Sequence, residues 1–556
     1  MWKKALLGVL ALIVIGAGIA WMNRVEIILY MVTRASHQDV APHKEVTWQQ
    51  GPASAETPLA ERPPNIIFIL ADDLGINDIS TFGGGVGNGT APTPNIDRLA
   101  AEGAIFTQAY SGTGTCAPSR AMLMTGRYPT RTGFEFTPTP AGMGRMMPLM
   151  AAERRDNDDS RPPVTWNEDE AESAPPYVDQ GLPGSEITIA EVLKSHGYQT
   201  AHIGKWHLGR NAETNPNAQG FDDSLAMSGG LFLPEDAPNV VNAKLAFDPI
   251  DRFLWASQQY ATRFNEGELL APGGYLTDYW TDEALKVIDA NKNRPFFLYL
   301  AHWGVHTPLQ ATKEDYEAVG DIEPRRERVY AAMLRAVDRS VGRVMDKLEA
   351  EGLAENTIIV FSSDNGGAGY LGLPDVNAPY RGWKITLFEG GIRVPMFIKW
   401  PAKIAPGTVL DTPVAHIDVM PTLASAAGAD LPEGVIIDGR DMLPEATGEG
   451  VITRDNDALY WSSGFYQVVR AGDWKLQRDQ KYDRSWLYDL ASDPTEEVNL
   501  ADTRPDKLAE LNALIEAHFS SRRKPLYPHT VESPILIDKH LAQEFEPGDE
   551  YIVWAN

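Results

Sequence analysis

Four continuous apolar runs, each ending abruptly in polar residues, constrain this chain more than any other feature. They are "NIIFILADD" (Asn65 to Asp73), "TAHIGKWH" (Thr200 to His207), "PFFLYLAHWGVH" (Pro295 to His306) and "NTIIVFSSDNGG" (Asn356 to Gly367). Runs without polar alternation read as strands covered on both faces. Between the last two lies an amphipathic helix, Arg325 to Glu351, in which Tyr330, Leu334, Val337, Val341, Met345 and Leu348 step by three and four until Gly352 stops it. Strand, helix, strand is the unit of a parallel sheet. The expected fold is therefore α/β, a mostly parallel central sheet flanked by helices. In such sheets ligands sit beyond the carboxyl ends of the strands, so the Asp, Lys, His and Asn residues that close the runs should gather in one place.

The flanks set the domain organisation. Lys3 and Lys4 precede an uncharged apolar run, Ala5 to Met22, of about the minimum length for a membrane span. A polar, proline-bearing stretch follows from Arg34 to Pro64 and reads as linker. Residues 1–33 are thus expected to be a membrane anchor, or a signal segment cleaved near Gly18-Ile19-Ala20, with the anchor preferred. Either way the remainder is exported, to the periplasm or the extracellular space. After the 34–61 linker come a catalytic body, 62–450, with an insertion near 135–184, and a small C-terminal α+β domain with a tail, 451–556. There "ALYWSSGFYQVVRAGDWKLQR" reads as antiparallel strands turning at Ala471-Gly472-Asp473, and "SWLYDLASDP" as one more. The glycine-rich Gly83 to Gly89 lacks the lysine and serine of a phosphate-gripping loop and reads as a turn. With 49 Lys and Arg against 76 Asp and Glu, the net charge of −27 argues against nucleic acid and leaves membrane contact to the N-terminal segment.

The chain has one cysteine, Cys116, so no internal disulfide holds it together. It stands in "GTGTCAPSRAMLMTGR", Gly112 to Arg127. Pro118 suits a first helical position and Gly126 a helix end, which puts Cys116 just before a helix N-terminus, where anions bind. Burial as an inert thiol would not account for the Pro-Ser-Arg that follows. A thiolate nucleophile would want a neighbouring histidine and protection from oxidation, and an exported thiol has little protection.

Around this cysteine the sequence resembles the sulfatases of the alkaline-phosphatase-like superfamily. Their signature, Cys-x-Pro-Ser-Arg followed by Thr-Gly, is matched by "CAPSRAMLMTG". From Arg62 to about Ala501 further blocks look like those of the family, in its order: "RPPNIIFILADDLG", "PTPNIDRLAAEGAIFTQAY", "HIGKWHLG", "SSDNGG", "YRGWKITLFEGGIRVP", "HIDVMPTLASAAG" and "LYDLASDPTEEVNLA". The resemblance implies a sulfuric ester hydrolase in which a maturation enzyme, formylglycine-generating or equivalent, oxidises Cys116 to formylglycine. One hydroxyl of the hydrated aldehyde attacks sulfur and releases the alcohol, and the other then expels sulfate. Asp72, Asp73, Asp364 and Asn365 are hard oxygen ligands at predicted strand ends, which suits Ca2+, with Mg2+ second, and disfavours zinc. Cys116, once converted, would complete that set. By the same resemblance Lys205 and Lys384 hold the sulfate oxygens and Arg120 positions the formylglycine. His207 takes the hydroxyl proton and His306 assists the departing alcohol. A phosphodiesterase or phosphonate monoester hydrolase of the same fold remains an alternative, as does an inactive protein that binds sulfated ligands.

Substrate choice is less constrained. The segment from Phe134 to Gly184 carries Met143, Met146, Met147 and Met150, then the acidic "DNDD" and "EDEAES". It reads either as a disordered acidic insertion or as a lid whose methionines cover the apolar part of an ester. The acidic surface favours a small sulfate ester as substrate, aryl esters included, over internal sulfates of a polymer.

Overall fold

In the computed structural model, which describes residues 2–153 and 161–556, the four apolar runs form β1 (Asn65–Ala71), β2 (Gln199–Gly204), β3 (Phe296–Ala301) and β4 (Thr357–Ser363). These strands are buried at every position and lie parallel in the order β4, β1, β3, β2 at the centre of a ten-stranded sheet. Asp223–Met227 extends the parallel run beside β2, while Met396–Lys399 joins β4 antiparallel. The sheet is therefore mixed but mostly parallel, as expected. Side chains alternate across it: Ile67 and Ile69 enter one core, whereas Ile66, Phe68 and Leu70 enter the other. Each such buried side chain contributes about 1.5–3 kcal/mol, so neither face can be left wet.

At the amino end, α1 (Trp2–Met22) leaves Leu6, Leu10, Leu12, Val14 and Trp21 more than half exposed, and α2 (Arg24–Ser36) folds back to bury Val25 and Leu29. Among the described residues no single helix is long and apolar enough to cross a membrane. The segments Leu6–Met22 and Arg24–Ser36, bent by 72°, pass that test together. Next comes α3 (Cys116–Thr125), whose N-cap is Thr115. The helix thus starts earlier than the sequence reading placed it: Cys116 is its first residue and Pro118 its third. Pro118 is tolerated there because N–H groups of the first turn have no intrahelical partner to lose. Gly126, at φ 65°, ends the helix as expected.

Two helices, α4 (Ala141–Glu153) and α5 (Pro249–Ser257), pack on each other and on α2. The long α6 (Arg325–Ala350) buries all six residues of its predicted stripe. Beyond residue 457, Ala458–Ser463, Tyr466–Ala471, Trp474–Asp479 and Arg484–Asp489 form an antiparallel meander covered by α7 (Pro505–Phe519) through Leu511 and Ile515. Buried Lys475 joins it to the body, its Nζ 2.9 Å from both Glu389 and Glu496. Thr165–Trp166 pairs with Val531–Leu536, which pairs with Tyr551–Ala555, so the insertion and the C-terminal tail share one small sheet. The "DNDD" stretch, Asp156 to Asp159, lies outside the described residues.

Candidate active site

The carboxyl ends of β1 to β4 converge, and the loop before α3 brings Cys116 to them. Its glycines allow a close approach: a Cβ on Gly114 would lie 2.4 Å from the Thr386 carbonyl oxygen, and one on Gly112 2.9 Å from Ser119 Cα. In the space so left, the Ile385 N–H donates to the Gly114 carbonyl at 2.6 Å, clamping the loop that carries Lys384 onto the cysteine loop. Buried His416 ties α3 to β4 through Ser119 Oγ and Ser362 Oγ, each at 3.1 Å. Three residues of the site take left-handed backbone angles, Asp73 at φ 59°, His207 at 64° and Ile385 at 84°. Such angles cost about 1–3 kcal/mol in non-glycine residues and persist only where the surroundings enforce them.

All ten residues singled out from the sequence meet here. Cys116 Sγ lies 3.7 Å from Asp72 Oδ1 and 3.8 Å from Asp73 Oδ1. Arg120 is fully buried and donates to Asp364 Oδ2 (2.9 Å), Asp72 Oδ2 (2.8 Å) and the Lys205 carbonyl (2.9 Å). Lys205 Nζ pairs with Asp72 Oδ2 at 2.6 Å, and Lys384 Nζ with Asp73 Oδ1 at 2.6 Å. His306 presents Nε2 3.5 Å from Asp73 Oδ2, its Nδ1 contacting the Thr307 carbonyl at 2.5 Å. Asp364 Oδ1 accepts the Asp73 N–H at 3.2 Å, and Asn365 Nδ2 donates to Asp73 Oδ1 at 2.8 Å. His207 follows the end of β2 with its Nδ1 buried and unpartnered.

Burial and crowding set the charges. The Asp72 carboxyl is pushed up to about 7 by burial and by Asp364, which outweigh Lys205 and Arg120. Asp73 is held below the usual carboxylate range in spite of burial, because the ammonium groups of Lys384 and Lys205 flank it. Burial, then Asp364, raises the Cys116 thiol, so near neutral pH the unmodified side chain is protonated and a poor nucleophile. Burial also pushes His207 and His306 well below the ordinary imidazole value, with Lys205 adding to the effect at both. Both rings are neutral near pH 7.

The cluster could hold a metal ion. Ligand atoms of Asp72, Asp73, Cys116 and His306 lie within 4.8 Å of one another, all buried. Asn365 Oδ1 is buried without a hydrogen-bond partner, an orphan acceptor at the same site that a cation would satisfy. Two neighbours were not read from the sequence. Tyr370 donates from its hydroxyl to Asp73 Oδ2 at 2.8 Å and accepts from Lys384 Nζ at 3.0 Å, while Trp303 stacks on His306 at 3.9 Å beneath Lys205. Trp303 lay inside a quoted apolar run, but Tyr370 follows "SSDNGG" at a spacing that no chemical rule marks. His302, in the same run as Trp303, bonds Ser340 of α6 at 2.9 Å. The methionines divide: Met146 and Met150 bury against Val25 and Leu29, whereas Met147 lines a cavity beside Tyr370.

A family model described as Sulfatase matches residues 64–429, and one described as N-sulphoglucosamine sulphohydrolase, C-terminal, matches residues 382–524. The steryl-sulfatase of Mus musculus is 32% identical over 477 residues, covering 74% of this chain and 69% of its own length. The N-acetylgalactosamine-6-sulfatase of Rattus norvegicus is 33% identical over 424 residues, covering 75% and 71%. Among solved structures, Ps i-CgsB in complex with k-i-k-neocarrahexaose superposes with a TM-score of 0.68 at 29% identity, over 84% of this chain and 95% of that one.

Proposed function

The chain belongs to the sulfatase family, and from that premise we propose that it hydrolyses small monosulfate esters, aryl esters included, through a formylglycine made from Cys116 at a calcium site. One observation carries the reading: Cys116 Sγ lies within 3.8 Å of two carboxylates while Asn365 Oδ1, buried beside them, has no partner. A buried, protonated thiol among carboxylates is a poor nucleophile, but the same position suits a hydroxyl beside a cation. Formylglycine would supply there a hydrated aldehyde, whose two hydroxyls serve attack on sulfur and expulsion of sulfate. Calcium, held by Asp72, Asp73, Asp364 and Asn365, would supply positive charge to the sulfate oxygens and to that hydroxyl.

The chain's own groups do the rest. Lys205 and Lys384 sit on opposite carboxylates and can each turn an Nζ hydrogen to a sulfate oxygen. Arg120, through Asp72 and Asp364, fixes the carboxylates and with them the start of α3. His207, kept neutral, can accept the hydroxyl proton. His306 donates Nδ1–H to the Thr307 carbonyl, leaving Nε2 toward the site. Beside Asp73 and an incoming anion, Nε2 can take a proton and pass it to the departing alcohol oxygen.

The test is the mass of the tryptic peptide containing Cys116 from the native host. Conversion turns CH2–SH into CH=O, a loss of sulfur and two hydrogens for one oxygen. An unmodified cysteine in active enzyme would overturn the mechanism. Turnover of nitrophenyl sulfate well above that of a phenyl phosphonate separates this reading from a phosphonate hydrolase. We further propose an exported enzyme anchored by residues 1–33, supported by the exposed apolar side chains of α1. Deleting that segment should move the protein from the membrane fraction to the soluble one.

A further inference from the structure

A cavity of about 640 Å³ lies next to the reactive cluster and shares Tyr370 with it. Its walls include Met147 and Pro148 of α4, Ile250 of α5, Trp383 and Ile385 on either side of Lys384, and Leu541 of the tail. Tyr370 bounds the cavity while its hydroxyl reaches Asp73 and Lys384, so the apolar space starts one side chain from the groups assigned to the sulfate. Trp383 spends its indole N–H on the Leu536 carbonyl at 2.8 Å and presents carbon to the cavity. Ile385, a β-branched residue, is held at φ 84°, a conformation retained where the surroundings demand it.

The charged groups at the rim are engaged elsewhere. Asp248 accepts the N–H groups of Ile250 and Asp251 at the start of α5. Lys539 lies 2.9 Å from both Glu546 and Asp549, and Arg161 stacks on Phe545 at 3.8 Å. A space of this size, with mostly apolar walls and its charged groups paired, suits an apolar ligand better than a hydroxyl-rich one; His540, which lines it with a buried, unpartnered Nδ1, is its polar exception. Behind two of its walls, Met146 and Met150 pack on Val25 and Leu29 of α2, and Glu26 pairs with Arg252 of α5 at 2.7 Å, so α2 holds the wall in place.

We propose that this cavity is the alcohol subsite and that it takes a bulky aliphatic or alkyl-aromatic group, making amphiphilic monosulfate esters the preferred substrates. The proposal rests on the sulfatase reading above. Its test is a series of 4-alkylphenyl sulfates from methyl to hexyl, used as monomers with the full-length enzyme. The para chain alters burial while leaving the phenol's leaving ability nearly constant. Each methylene that enters an apolar wall is worth up to about fourfold in kcat/KM, so the hexyl ester should exceed the methyl ester by at least about tenfold. Met147→Glu, and independently Ile250→Asp, should each lower that hexyl-to-methyl ratio about tenfold. Should either variant fold poorly, inhibition of the wild-type enzyme by 4-hexylphenol gives the same information, with binding about tenfold tighter than phenol expected. Hydrolysis of the methyl ester with a flat alkyl series would overturn the subsite and leave the sulfatase reading standing. So would a sulfated sugar outperforming the hexyl ester. No hydrolysis of any member would overturn the sulfatase reading and the subsite with it.

Discussion

Replacing Arg120 by methionine removes a cation that bridges the carboxyl ends of β1 and β4 at the base of the site. The guanidinium is fully buried and serves Asp72, Asp364 and the Lys205 carbonyl. Breaking a buried ion pair by removing one partner costs about 3–5 kcal/mol, because the other charge is left uncompensated. Asp72 keeps Lys205 at 2.6 Å, so the main loss falls on Asp364, about 4 kcal/mol, with about 1 kcal/mol more for the orphaned carbonyl. At ~2.1 cal/mol/K per residue, a chain of 556 residues unfolds with about 1.2 kcal/mol/K. The melting temperature of chelator-treated protein should therefore fall by about 4 °C. Removing Asp364 as well, in Arg120→Met/Asp364→Leu, deletes the stranded charge and should recover part of the loss. Scanning calorimetry of the three proteins decides. A single-variant change below about 1 °C, or a double variant whose losses simply add, would show that the guanidinium is not compensating these carboxylates.

Other outcomes follow from the same geometry. Calcium at one hundred times its Kd should stabilise the protein by about 2.7 kcal/mol, read as a thermal shift. Asn365→Ala should remove that shift together with turnover, whereas full activity in stripped wild type would refute the metal. Cys116→Ser should make one attack and remain sulfated, seen by intact mass; repeated turnover would contradict the hydrate. Buried Asp78, bonded to the Tyr330 hydroxyl and the Gly75 N–H, is pushed up to about 7 by burial. Its folded pKa exceeds the unfolded value near 3.9, so its contribution, about 4 kcal/mol, is complete below pH ~4 and lost as pH rises through ~7. Asp78→Asn should flatten urea-measured stability between pH 5 and 8, and an unchanged slope would contradict the assignment. Across ionic strength, nitrophenyl sulfate should be preferred to a highly sulfated polymer, most clearly at low salt, because the chain carries a net charge of −27.

What the sequence made legible follows from which physical signals are local. β1 to β4 announced themselves because strands buried on both faces need unbroken apolar runs, and their polar ends marked the site before any contact was known. Asp72, Asp73, Lys205, His306, Asp364 and Asn365 were readable for that reason. His207 closed its run in the same way, whereas Lys384 lies on a loop and only the resemblance singled it out. The start of α3 was misplaced by two residues because proline is acceptable anywhere in a first turn, so Pro118 alone cannot fix the N-cap. Tyr370, and the pairing of Thr165–Trp166 with Val531–Leu536, depend on contacts between distant segments that leave no periodicity behind. The same holds for the methionines, since α4 turns Met146 to α2 and Met147 to the cavity within one step of the helix.

Formal charge gives the proposed cation a purpose beyond filling an orphan acceptor. Arg120, Lys205 and Lys384 face Asp72, Asp73 and Asp364, while burial keeps His207 and His306 neutral. With all three carboxylates ionised, the protein's own groups sum to zero inside a molecule of net charge −27, and an anionic ester arriving there would gain little from them. Each lysine is paired with a carboxylate that offsets its charge, and attracts sulfate in full only if something else takes over that carboxylate's charge. A divalent cation among Asp72, Asp73, Asp364 and Asn365 would do so, freeing both lysines and leaving the cluster with the double positive charge that a departing sulfate dianion balances. On this reading the acidic surface would discourage polyanions, while the two lysines would become fully available only at a loaded site, for one sulfate at a time.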